Sequence, residues 1–424
     1  MRIAIFTVGS HGDINPFLAI ARELVRRGHS VGFYATAYFT PDARESGIDF
    51  HPFNADLNVE ELMRDPDLMH RYKGGKRVFD LLYSGVPELI DATRREIADH
   101  RPDAILAHHI TFGVRWTAQQ MGVPVALCAL SPMMWLNRHD PVRFFQRRPG
   151  GLGRFEAALA TPLLKPVASK FFFAPFNRIR AATGFAPLAD PLVDEFCGGD
   201  INLGLWSAHL RPAYEGDPAN AHICGFTWHD RSHAQPLAPE LEAFLRDGDP
   251  PIVFTLGTAA VHAAGDFYHR AIDAARSLNR RAVLLTGKAE YAPPPGDLPR
   301  GMIAVPYAPF STLLPHAAAT VHHGGIGSTA QALRSGRPMV VIPHAHDQFN
   351  NAVRAAELGV ASIVPRHKLT ARRLADALGK VLDKPEVDQA AAAIAAKVRG
   401  DDGARIAADE VERLAGRGRS SSPD

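Results

Sequence analysis

The stretch ATVHHGGIGSTAQALRSGRPMVVIPHAHDQ, residues 319–348, decides the fold. It opens as an apolar strand ending on His323, passes through Gly324, Gly325 and Gly327, and is expected to enter a helix at Ser328 or Thr329. A strand that runs through glycines into a helix leaves backbone N–H groups free at the positive end of the helix dipole, and glycine lets a ligand approach them closely. Such a loop binds anions. His323, at the strand end, can donate to a phosphate and stabilise the charge that develops when a nucleoside diphosphate departs. The run 338–343 returns to the same sheet edge, which brings Asp347 and Gln348 beside the loop, where a carboxylate and an amide can read sugar hydroxyls. The plainer reading is a capped helix after a tight turn, with Asp347 capping the next one.

Outward from this stretch the rhythm repeats. Apolar runs at 251–257, 281–286 and 302–307 precede it, and helical spacing at 267–278 and 350–358 separates and follows them. The amino-terminal half shows the same pattern: strands at 2–8, 30–35, 104–109 and 122–130, with a glycine turn at 9–13 and a helix at 16–27. The fold class is therefore α/β, two Rossmann-like domains whose parallel sheets face a central cleft. A chain of 424 residues is also longer than one hydrophobic core sustains. The expected division is an acceptor-binding domain 1–228, a linker 229–239, a nucleotide-sugar-binding domain 240–399, a terminal helix 400–415 packing back on the first domain, and a disordered polar tail 416–424.

Composition narrows the setting. A net charge of +2 gives no general case for nucleic acid as a partner. Cys128, Cys197 and Cys224 are odd in number and widely spaced, which suits reduced thiols in a cytoplasm. The opening MRIAIFTVGSHGD is too short an apolar run for a signal peptide, and no segment reaches the roughly 20 apolar residues that cross a bilayer, so any membrane contact is peripheral. The sequence fixes no oligomeric state.

Residues 137–180 break the strand-helix rhythm, and from Arg138 to Arg180 nine basic residues stand against two acidic ones. Phe144, Phe145, Phe155 and the run 171–173 are interleaved with them. One reading is a membrane-facing flap; the other is an insertion whose phenylalanines pack on the amino-terminal domain or line an acceptor pocket. Trp116, Met133, Met134 and Trp135 lie near strand ends and favour a flat apolar acceptor: a polyketide, terpenoid, phenolic or lipid. Two acid-x-acid turns, at Asp65 and Asp67 and at Asp247 and Asp249, follow no sheet strand. His344 and His346 lack a third ligand. No metal is expected.

The runs HHGGIGST, PMVVIP and HDQFNNA within 305–359 resemble the donor-binding signature of the inverting nucleotide-sugar glycosyltransferases of GT-B fold, which include the plant and bacterial UDP-glycosyltransferases. The resemblance spans nearly the whole chain and is nearest to bacterial rhamnosyltransferases and sterol or antibiotic glycosyltransferases. It implies a nucleotide diphosphate sugar as co-substrate, with UDP-glucose favoured over a dTDP-sugar, and no further cofactor. It implies His323, Ser328 and Thr329 at the diphosphate with Gly325 and Gly327 lining the loop, Thr258 near the phosphates, and Asp347 and Gln348 at the sugar. Tyr307 stands where the family usually has tryptophan and would stack on the base, whose edge the Ala308 backbone would read. Gln331 replaces a glutamate that in many relatives holds the ribose. Acceptor contacts are expected from Ile14, Phe112, Met134 and Trp135.

The turn GSHGDINP, residues 9–16, belongs on the opposite wall of the cleft. Many plant relatives have a catalytic histidine at the position of Asp13 and an aspartate near that of His109, so the pair looks exchanged. Either Asp13 takes the acceptor proton, the reading favoured here, or His109 does while Asp13 orients it. His11 and His108 are neighbouring alternatives, and helix capping is the plain role for Asp13. A sugar-nucleotide epimerase or a catalytically silent sugar-nucleotide-binding protein would share the phosphate loop. A nicotinamide dehydrogenase fits less well, since the first loop lacks GxGxxG.

Overall fold

The computed structural model describes residues 1–44, 48–53, 59–143, 151–229 and 236–420. The amino-terminal sheet contains β1 (Arg2–Phe6), β2 (Ser30–Thr36), β3 (Asp49–Phe53), β4 (Ala104–His108), β5 (Val125–Ala129), β6 (Ile201–Gly204) and β7 (Ala221–Ile223) in the order β3-β2-β1-β4-β5-β6-β7. The second contains β8 (Ile252–Thr255), β9 (Ala282–Leu285), β10 (Met302–Val305), β11 (Ala319–His322), β12 (Met339–Val341) and β13 (Ala361–Ile363) in the order β10-β9-β8-β11-β12-β13. The named strands pair in parallel throughout. Strand order reverses between β1 and β4 and between β8 and β11, and in open parallel sheets the crevice for ligand lies beyond the carboxyl ends of such strands.

The central strands β4 and β5 are buried along their whole length, which is why they read as unbroken apolar runs. Four strands escaped that reading: β3, β6, β7 and β13, whose sequences DFHPF, INLG, AHI and ASI are short or mixed. Three of these are edge strands, and β3 tolerates Pro52 because its outer N–H groups have no ladder to join. The first helix also starts earlier than its apolar spacing implies, at His11 rather than residue 16, because Ser10 and Asp13 form a capping box ahead of Pro16.

The last helix, Gly403–Ser420, lies against the first, His11–Arg26. Ala407, Val411 and Leu414 join Ile14, Leu18 and Leu24 in one core, and Arg27 reaches Asp409 and Glu412 at 2.7 Å each. Residues 416–420, expected in a disordered tail, continue this helix; 421–424 lie outside the described residues.

The two halves share a core of their own. Trp135 and Trp206 meet edge to face at 4.6 Å and pack with Leu333, Met339, Ala352 and Val398 of the second half. Beside them Asp140, 2% exposed, accepts from Arg211 Nε at 2.9 Å, Arg354 Nη2 at 2.6 Å and Arg143 Nη1, while Arg143 also reaches Glu357 at 3.0 Å and Arg211 reaches Asp217 at 2.6 Å. Burial alone would push the Asp140 carboxyl up, but the Arg354 and Arg143 charges overcome it and hold it at about 2. Three arginines thus face three carboxylates in a network that spans the interface.

Within the 137–180 segment, residues 151–180 are helical. Phe173 and Phe176 pack inward with Phe112, Trp116 and Phe196, whereas Phe155 on helix Gly151–Ala168 is 69% exposed. Phe144 and Phe145 fall outside the described residues. Among the described residues no helix is long and apolar enough to cross a membrane.

Candidate active site

His323 follows β11 at the strand-order reversal. Its ring occupies a seat cleared by two glycines: a Cβ at Gly257 would stand 2.6 Å from Cε1, and one at Gly325 would stand 2.5 Å from Nε2. Gly257 also sits at φ +65°, so a side chain there is excluded twice. Burial pushes the His323 imidazole well below its ordinary value, with His322 and His344 adding to the effect, and the ring is neutral at pH 7. Its Nδ1 is enclosed and has no hydrogen-bond partner among the described residues. His322 points the other way. Its Nδ1 accepts from Gly324 N–H at 3.1 Å and its Nε2 lies 3.4 Å from Met339 Sδ, which makes it a brace for the glycine turn.

The helix after the turn is Ile326–Ser335, so it begins two residues before Ser328, the nearer of the expected starts. Gly325 is its cap and no side chain caps the leading N–H groups, while Gly327 is exposed with open space where a Cβ would point. Ser328 is half-buried at this rim. Thr329 is fully buried and turns its hydroxyl back to Gly325 O at 3.0 Å, so it props the turn and does not face the cleft. Thr258 is exposed on the neighbouring loop after β8; Tyr307 is exposed and Ala308 buried after β10; Gln331 is half-buried within the helix.

Asp347 Oδ2 accepts from Asn351 Nδ2 at 2.8 Å, and the same amide donates to Gly324 O at 3.0 Å. Asn351 therefore ties the Asp347 carboxylate to the glycine turn. Gln348 spends its carbonyl oxygen on the backbone N–H groups of His344 (2.8 Å) and Ala345 (3.1 Å), which leaves only its amide N–H groups to offer a ligand. Sequence reasoning passed over Asn351, although it lies in the HDQFNNA run.

The facing wall is close. Ser131 Oγ donates to Asn351 Oδ1 at 3.3 Å, His346 at φ +55° reaches Leu68 O at 2.9 Å, and Lys288 pairs with Glu60 at 3.1 Å. Asp13 stands here. Both of its hydrogen bonds fall on Oδ2, from Ser10 N at 2.8 Å and Ser10 Oγ at 3.0 Å, so Oδ1 makes none among the described residues. Gly9, at φ +121°, admits this approach, since a Cβ there would lie 2.4 Å from Asp13 Oδ2. Burial pushes the Asp13 carboxyl up to about 6; the Ser10 bonds oppose this and the Asp347 charge adds to it. The capping hydrogen bonds thus occupy one oxygen of the side chain and leave the other without a partner among the described residues.

His109 does not meet Asp13. Its Nδ1 lies 3.0 Å from Cys128 O, its ring is edge-on to Phe196 at 5.6 Å, and burial pushes it down to about 4. His108 is 3.5 Å from Thr7 Oγ1, and that hydroxyl also donates to the Asp13 carbonyl at 3.2 Å. His11 lies 3.4 Å from Asp42.

The expected acceptor contacts need correction. Ile14 and Phe112 are fully buried in the amino-terminal cores, and Trp135 is 2% exposed in the shared core, so all three are packing residues. Met134 is half-buried between two cores. A small pocket of ≈ 40 Å³ lies between Ser10, His11, Tyr38 and Phe39 on one side and Thr258, His262 and Lys288 on the other. Tyr38 and Phe39 follow β2 directly, beyond the apolar run that marks it. Asp65 and Asp67 are engaged by Arg77 (2.6 Å) and Lys73 (3.2 Å), and among the described residues no cluster of three or more His, Cys, Asp or Glu is placed to hold a metal.

Residues 3–126 match the glycosyltransferase family 28 N-terminal domain, and residues 270–414 match the C-terminal domain of erythromycin biosynthesis protein CIII-like proteins. The chain is 29% identical to the O-mycaminosyltylonolide 6-deoxyallosyltransferase of Streptomyces fradiae over 98% of both chains. It is 23% identical to a sterol 3-beta-glucosyltransferase of Arabidopsis thaliana over 97% of its own length and 68% of the plant protein. Among solved structures, the glycosyltransferase of kitacinnamycin superposes with a TM-score of 0.73 at 24% identity over 97% of this chain and 98% of that one. VinC in complex with dTDP superposes at 0.69 and 21% identity over 98% and 100%.

Proposed function

The chain belongs to the nucleotide-sugar-dependent glycosyltransferases of GT-B fold, and from that premise we propose that it moves a hexose from UDP-glucose, with inversion, to a hydroxyl of a small apolar acceptor in the cytoplasm. One observation carries the reading: Asp347, tied through Asn351 to the glycine turn that follows His323, lies near enough for its charge to act on Asp13, whose second oxygen is uncommitted.

The chemistry follows from that proximity. The donor's diphosphate lies against the N–H groups of Ile326, Gly327 and Ser328 and against His323, with Asp347 and the Gln348 amide at the sugar hydroxyls. The acceptor oxygen attacks the anomeric carbon from the Asp13 side and gives its proton to Oδ1. The bond from the anomeric carbon to the phosphate oxygen breaks, and its electron pair leaves with the nucleoside diphosphate. The helix dipole and the His323 N–H stabilise that developing charge, the role a metal ion fills elsewhere. An Asp13 carboxyl raised to about 6 remains ionised at neutral pH and is a stronger base than an ordinary aspartate.

A dTDP-sugar is the second donor reading, favoured by the dTDP complex of VinC. A mass-spectrometric screen of UDP-glucose and dTDP-glucose against pooled apolar alcohols and phenols decides the donor and the acceptor class together. Transfer from UDP-glucose is the expected result; transfer from dTDP-glucose alone reverses the donor assignment, and no transfer from either overturns the proposed reaction.

A further inference from the structure

Helix Gly151–Ala168 turns an apolar stripe to solvent. Leu152, Phe155 and Leu159 are 67%, 69% and 62% exposed, and at 100° per residue they fall within about 60° of one another on the helix surface. Among the described residues they account for three of the eight exposed large hydrophobic residues, so the stripe is a concentration and not a scatter. The same segment is basic. Of the nine arginines and lysines between Arg138 and Arg180, Arg143 and Arg180 are buried; of the two acidic residues, Asp140 is buried with Arg143. Of the remaining basic residues whose side chains are described, Arg138, Lys170 and Arg178 are exposed, and Glu156 is the one other acidic residue of the segment's sequence.

We propose that this helix docks on an anionic membrane surface, its leucines and phenylalanine entering the headgroup boundary while the surrounding arginines and lysines meet lipid phosphates. An apolar stripe of this size alone binds weakly, and the basic residues supply the second attraction that interfacial helices need. The charge also argues against a second copy of the chain as the occupant, because two such basic segments would bring like charges together. Inward, Phe172 and Phe173 of the adjoining turn join the aromatic cluster beneath His109, so the docked face is the outer side of the acceptor half.

Sedimentation of the full chain with vesicles tests this. Vesicles of phosphatidylcholine mixed with phosphatidylglycerol should carry the protein down at least about tenfold more effectively than phosphatidylcholine alone, and the advantage should vanish as salt shortens the screening length. The triple variant Leu152→Glu, Phe155→Glu, Leu159→Glu should lose about tenfold or more of that binding. Its melting temperature and its UDP affinity should stay at wild-type values, since the three side chains pack on nothing essential. Equal binding by the variant, or no binding of the wild type to the anionic vesicles, overturns the proposal. A wild-type dimer in solution that the variant converts to monomer assigns the stripe to self-association instead.

Discussion

In the proposed reaction the donor wall and the acceptor wall of the cleft, built by the same topology, hold their ligands by different means. On the donor wall the contacts are backbone N–H groups, a helix terminus and one imidazole, positioned by Gly257, Gly324 and Gly325. On the acceptor wall the carboxylate of Asp13 is positioned by Gly9 and Ser10, and the surface beside it includes exposed side chains such as Tyr38. A phosphate is the same object in every nucleotide sugar, so a fixed backbone cradle serves it. An acceptor has no common shape, and its wall is made of replaceable side chains. Both reacting groups nevertheless share one device, a seat from which a Cβ has been removed.

Asp13→Asn breaks the comparison most sharply. Transfer to an alcohol should fall about 10²–10⁴-fold with UDP affinity unchanged, measured by initial rates and calorimetry. The folded chain holds the Asp13 proton more tightly than the unfolded chain does, so its ionised charge is a burden on the fold above a pH of about 6 and is relieved below it. The amide variant should therefore melt no lower than wild type at pH 8. Loss of UDP binding in this variant would erase the division between the two walls.

On the other side, His323→Ala should lower transfer by about 10²-fold and weaken UDP binding, since it removes a donor aimed at the departing diphosphate. Gly257→Val should mimic it by driving the ring from its seat, and a His323→Ala, Gly257→Val double variant should be little worse than either alone. Additive losses would separate the glycine from the histidine.

The acidic limb of the rate profile comes next. With Asp13 as base, kcat for an alcohol should halve near pH 6 and drop about tenfold per unit below it, and the Asp13→Asn variant should lack that limb. A wild-type limb centred near pH 4 would point to His109. His109→Ala should be milder, within a few-fold in rate, because its Nδ1 serves the Cys128 carbonyl and its ring serves packing. The smallest effect is expected from exhaustive chelation, which should leave transfer unchanged; loss restored by magnesium would give the charge role to a metal.

Legibility in the sequence divides along the same line. The phosphate turn could be read because strand, glycines and helix occupy consecutive positions, and backbone chemistry does not depend on which side chains lie elsewhere. The buried strands of both sheets could be read for a similar reason, as runs such as AILAH and VALCA admit no polar face. The edge strands β3, β7 and β13 could not, since their sequences are short or mixed, nor could β6, whose four residues INLG make too brief a run. Nor could the seat of His323, which needs Gly257 from a loop 66 positions earlier in the chain. Ile14, Phe112 and Trp135 were misjudged because an apolar residue beside a strand end looks alike whether it lines a pocket or fills a core; only burial separates the two. The early start of the first helix hid in plain view, as Ser10 and Asp13 stand at capping-box spacing.

The charged network around Asp140 bears on how such enzymes can be recombined. Its Arg354 lies on the helix Gln348–Glu357 that begins at the sugar-reading residues, while Arg143, Arg211 and Asp140 itself come from the acceptor half. Grafting this donor half onto a foreign acceptor half would strand the Arg354 guanidinium in a dry interface, and an uncompensated charge of that kind destabilises by about 3–5 kcal/mol. The halves are therefore interchangeable only as far as their shared ion network is inherited. A chimera that splices in Asp140, Arg143 and Arg211 together with the new acceptor wall keeps the network intact, whereas a crossover placed by sheet boundaries alone cuts it.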